Sequence, residues 1–156
     1  MSREIKFRAW DNNSKSFIED DEYLIGLNGK FYRMDFYSGI ENYEDGNLIW
    51  NELDNITLSQ FTGLLDKNGK EIFEGDILIF YIRVDEDIID DAGQVYNCKG
   101  QVIFNNGAFM VQNIEPKVRP FFYYDWDKMK IGEHCEELSV GGNIYLHPEL
   151  LGGENE

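Results

Sequence analysis

The side chains best suited to chemistry are few. Cys98, His134, Cys135 and His147 are the whole supply of thiol and imidazole groups. A zinc site needs convergent ligands, usually at short fixed spacings. Only His134 and Cys135 are neighbours here, and adjacent side chains on a strand point to opposite faces. A catalytic cysteine needs an imidazole or a positive field to form its thiolate. Glu133, Glu136 and Glu137 surround Cys135 and push its thiol pKa upward, the wrong direction. No Gly-x-Ser-x-Gly elbow is present for a serine nucleophile, and no glycine loop for phosphate.

Carboxylates are plentiful. The segment Asp66-Lys67-Asn68-Gly69-Lys70 looks superficially like the start of a calcium loop. That loop needs oxygens at positions 1, 3 and 5 and glycine at 6, whereas Lys70 stands at 5 and Gly69 at 4. A hairpin turn is the better reading. Asp85, Asp87, Asp90 and Asp91, with Glu86, crowd one short segment, and such like-charge density resists packing. The expectation is a solvated loop with no specific metal. These residue types imply no enzyme, no cofactor and no metal.

The remaining candidates are contact residues. Phe121-Phe122-Tyr123-Tyr124-Asp125-Trp126 is dense in aromatics. Tyr and Trp bury large areas at low entropic cost, so they are favoured in interfaces. Tyr123, Tyr124 and Trp126, with the acids Asp85, Asp87, Asp90 and Asp91, are therefore the candidate partner contacts.

Composition sets the frame for these residues. The chain has 156 residues and carries 14 Lys+Arg against 30 Asp+Glu, a net charge of −16, with a pI near 4.4. Hydrophobic residues at 42% suffice for a core. Residues 1–78 and 79–156 each carry −8, so there is no acidic tail. Phosphate affinity comes mostly from Lys and Arg, so this balance argues against nucleic acid. Only the first ten residues are locally basic. No apolar stretch is long enough for a membrane-spanning helix, and the amino end lacks a signal-peptide core. Two cysteines exclude a disulfide framework and fit a reducing cytoplasm.

Period-two patterning dominates the elements that must position these groups. Ile5, Phe7 and Ala9 alternate with Glu4, Lys6 and Arg8, which predicts a half-buried strand. Residues 30–37 read as a strand, and 76–84 as a strand buried on both faces. Residues 101–104 and 108–114 follow, with a short final strand at 143–146. Asn28-Gly29, Asn68-Gly69 and Asn106-Gly107 predict hairpins, because tight turns need positive φ. His147 to Leu151 supports one short helical turn, and 125–138 could hold another.

The order strand, long loop, strand, tight hairpin, strand, short strand predicts a mainly β fold. Its form is a small, strongly bent Src-homology-3-like β-barrel over 59–151. Residues 1–58 form an amino-terminal strand and hairpin extension packed on it, and 152–156 a frayed tail.

Four blocks resemble the YopX proteins of bacterial phages and prophages. They are residues 3–11, residues 60–77, the weaker hairpin at 100–111, and Gly142-Asn143-Ile144-Tyr145 with Pro148-Glu149-Leu150-Leu151. Val140-Gly141-Gly142 departs from the family pattern, which has a bulkier residue before one glycine. The resemblance implies a mainly β fold with a Src-homology-3-like barrel and a phage or prophage origin. It implies no activity and no catalytic residues. The expected role is a non-enzymatic accessory protein in the host cytoplasm, acting through an unidentified protein partner or as a homo-oligomer. The alternative is an acidic mimic of DNA that inhibits a host nucleic-acid-binding protein. Its average charge is several-fold more dilute than that of B-DNA, so mimicry requires most acids on one face.

Overall fold

Asn-Gly turns organise the chain. Asn106 and Gly107 both have positive φ, 49° and 80°, so their backbone twist matches the strands they join. In the computed structural model, residues 4–19, 23–37, 47–83, 95–115, 128–131 and 136–152 are described. In chain order the strands are β1 (Phe7–Asp11), β2 (Ser16–Phe17), β3 (Tyr23–Ile25), β4 (Phe31–Tyr37), β5 (Asn47–Leu53) and β6 (Ile56–Leu65). They continue with β7 (Glu71–Phe73), β8 (Asp76–Arg83), β9 (Val95–Asn105), β10 (Ala108–Glu115), β11 (Lys128–Lys130) and β12 (Glu136–Asn143). A 3-10 turn, Pro148–Leu151, ends at Gly152 in a left-handed conformation. The expected hairpins at Asn28, Asn68 and Asn106 join β3 to β4, β6 to β7 and β9 to β10.

The chain divides into two units, Met1–Arg8 with Ser59–Glu156, and Ala9–Leu58. The first unit is built on a strongly curled antiparallel sheet, a half-barrel in the order β11-β10-β9-β8-β12. Its core is Ile72, Leu78, Phe80, Ile82, Cys98, Val102 and Val111. Cys98, Gly100 and Val102 alternate inward along β9, as a half-buried strand requires. Each large apolar side chain buried here contributes about 1.5–3 kcal/mol. The second unit contains the antiparallel sheet β3-β4-β5 and the β1–β2 pairing of Trp10 with Phe17.

Several expectations are corrected. Ile5 and Phe7 do not line the inner face: they are 69% and 41% exposed, while Lys6 and Arg8 find partners. Strand β8 is buried on both faces only at its start, since Ile79 and Tyr81 are exposed. Within 125–138 the described residues hold strands β11 and β12 rather than a helix, because β10 and β8 supply their hydrogen-bond partners. The last strand ends at Asn143 rather than spanning 143–146. There the Asn143 carboxamide oxygen accepts the N–H groups of Tyr145 and Leu146 and turns the chain. Residues 47–53 add a strand that the sequence pattern does not announce.

Candidate functional site

Lys6 and Arg8 are consumed internally. The Arg8 guanidinium donates to Asp76 Oδ1 at 2.7 Å and lies 4.8 Å from the Phe73 ring centroid. Phe73 N–H donates to the other Asp76 oxygen at 2.8 Å. Asp76 is 1% exposed. Burial pushes its carboxyl up, and the Arg8 charge and the Phe73 N–H only partly offset this. Lys6 pairs with Glu71 and sits 5.6 Å from the Phe61 ring centroid. A cation already matched to a carboxylate and a ring offers little to phosphate. This charged cluster is structural in character.

Asp66 is also occupied. One carboxylate oxygen accepts the N–H groups of Asn68 and Lys70 at 2.8 and 2.9 Å, and the other accepts Val140 N–H at 3.0 Å. Burial pushes this carboxyl up, but the three backbone donors outweigh that and hold it below the usual carboxylate range. The calcium-like spelling of 66–70 is thus a hairpin turn anchored by its own aspartate. Among the described residues no group of three or more His, Cys, Asp or Glu is placed to hold a metal. Cys98 is buried and its thiol donates to the Tyr96 carbonyl at 3.7 Å, and the His147 ring accepts Asn143 N–H at 3.4 Å. Tyr123, Tyr124, Trp126, Asp85, Asp87, Asp90 and Asp91 lie outside the described residues, as do His134 and Cys135.

A different contact surface comes from the second unit. Cross-strand partners share a sheet face. The register Leu24↔Tyr32, Tyr32↔Glu52 and Met34↔Trp50 therefore puts Leu24, Tyr32, Met34 and Trp50 on one face of β3-β4-β5, together with Glu52, which pairs with Lys30. Trp50 is 45% exposed and Leu24 37%, and Leu27 in the adjoining turn is fully exposed. On the opposite face Phe31 is buried and stacks with Tyr23, their centroids 5.2 Å apart. Sequence reasoning passed over Trp50 and Leu24. The available signal was the aromatic-rich run at 31–37, whose cross-strand partners a sequence does not reveal.

Comparison with known proteins supplies a relationship rather than an activity. Over 96% of this chain and 99% of the other, the fold matches a crystal structure of protein EF1440 from Enterococcus faecalis, with a TM-score of 0.53 and 24% sequence identity. That likeness carries the fold alone. No curated protein matches the chain. The model of the family described as YopX protein matches residues 6–152, nearly the whole length, and so the chain belongs to the YopX family.

Proposed function

We propose that this is a phage or prophage accessory protein of the host cytoplasm. It works through protein–protein contact, with a partner or a second copy, and catalyses no reaction. The observation that carries the reading is the face on which Leu24 and Trp50 are exposed and Tyr32 and Met34 partly buried, with fully exposed Leu27 beside it. Contiguous exposed apolar surface marks interaction sites on otherwise polar proteins, and a tryptophan within it is a typical anchor. Tyr123, Tyr124 and Trp126 remain further candidate contacts, read from sequence. No helix among the described residues is long and apolar enough to cross a membrane.

The acidic-mimic alternative draws less support. Glu71, Asp76, Glu52, Asp35, Glu137 and Glu115 each sit against a lysine or arginine. Carboxylates matched in this way do not build a DNA-like field.

The test compares wild type with Leu24→Ser/Trp50→Ser, a change on the exposed face that leaves the core intact. Light scattering after size exclusion reads self-association, and affinity capture from bacterial lysate reads foreign partners. Association that the variant loses supports the proposal. A monomer that retains nothing in either form, or one that turns over a substrate, overturns it.

A further inference from the structure

Strand β12 is an edge of the curled sheet, yet two of its outward backbone groups are covered. Leu138 and Val140 are two residues apart, so their polar groups face the same edge. The Leu138 carbonyl accepts Lys67 N–H at 2.9 Å, and Val140 N–H donates to the Asp66 carboxylate at 3.0 Å. The Lys67 ammonium reaches Glu137 at 3.0 Å. Glu137 has a positive φ of 56°, and the register of β12 on β8 shifts between Glu136 and Ser139 and again between Val140 and Gly142, so Leu138 to Val140 is the stretch the turn covers. The β6–β7 turn thus supplies one donor and one acceptor in the places where a neighbouring strand would supply them. A side-chain carboxylate stands in for the missing carbonyl.

We infer that the 66–70 turn is a built-in cover for the β12 edge, and that releasing it lets β12 pair with β12 of a second copy. Open edges are ready templates for another chain, and a covering loop is a known remedy. Two antiparallel copies of one strand can exchange hydrogen bonds symmetrically, the simplest closed arrangement for a dimer. The inference does not depend on the apolar face of β3-β4-β5.

Asp66→Asn separates the cover from the turn. Its carboxamide oxygen still accepts the Asn68 and Lys70 N–H groups, while its NH2 meets Val140 N–H donor to donor. Lys67→Pro removes the donor to Leu138. Gly69 N–H bonds back to the Asp66 carbonyl, so Lys67 is the second residue of a four-residue turn, a position that accepts proline. Both variants are made in a Trp50→Ser background, so that association through the β3-β4-β5 face does not contribute.

In Asp66→Asn, amide exchange at Val140 should quicken at least about tenfold when dilute, as expected for loss of a charge-assisted bond. Protection should return at high concentration as the mass doubles. Lys67→Pro should show the same concentration-dependent doubling. Quickened Val140 exchange with an unchanged mass overturns the pairing, and unchanged exchange overturns the cover. If Asp66→Asn does not fold, Lys67→Pro decides alone: a folded protein whose mass stays that of the background overturns the inference.

Discussion

Arg8→Met isolates the cost of the buried carboxylate at Asp76. Methionine keeps an unbranched chain against Phe73 but removes the only cation bonded to Asp76 among the described residues. Removing one partner of a buried pair typically costs about 3–5 kcal/mol. The Arg8 side chain is 20% exposed, so some water reaches the site, and the lower end, about 3 kcal/mol at pH 7, is expected. The pH dependence is more specific. Burial already raises the folded-state pKa of Asp76 above its unfolded value, and removing Arg8 raises it further. A raised folded pKa means greatest stability below the unfolded value, lost as pH rises through the folded one. The deficit of Arg8→Met should therefore shrink as the pH falls from 7 towards about 4, by up to about 1.4 kcal/mol for each pH unit inside the window. Urea denaturation followed by circular dichroism at several pH values reads both quantities. A deficit below about 1 kcal/mol at pH 7, or one constant with pH, would refute the reasoning.

Two other perturbations follow from single contacts. Gly100→Ala should destabilise by about 1–3 kcal/mol in urea denaturation, since a Cβ there would lie 2.3 Å from Val111 Cγ1 and 2.9 Å from the Gln112 carbonyl oxygen. Asp66→Asn should flatten the acid limb of stability. The wild-type carboxylate, held low, stabilises the fold above the unfolded value near pH 3.9, and this is lost as pH falls through the lower folded one. The expected cost at pH 7 is on the order of 1–2 kcal/mol, vanishing in strong acid, and acid titration followed by circular dichroism checks it.

The parts of the fold legible in the sequence are those fixed locally. An Asn-Gly pair between apolar runs favours a hairpin because glycine takes the positive φ the turn needs, as Gly29, Gly69 and Gly107 do; of the three asparagines Asn106 alone shares it. The strand read at 101–104 is likewise local, and it lies within β9. What was not legible depends on distant partners. The alternation over residues 4–9 points Ile5, Phe7 and Ala9 inward, but of the three only Ala9 is buried, while Arg8 is drawn to a carboxylate 68 positions away. Within 125–138, where the pattern allows a helix, the described residues are strands because β10 offers β11 a ladder and β8 offers one to β12. The candidate contact face failed to register for the same reason. Trp50 and Leu24 come together only through their pairings with Met34 and Tyr32.

The proposed role is contact through the exposed face of β3-β4-β5. The most direct measurement is site-specific crosslinking from a photoreactive group at Leu27, beside that face, in cells carrying the intact protein. One discrete adduct is expected, with a partner or a second copy, and it disappears when Leu24→Ser/Trp50→Ser is introduced. The absence of any adduct, or one that persists undiminished in the double variant, would contradict it.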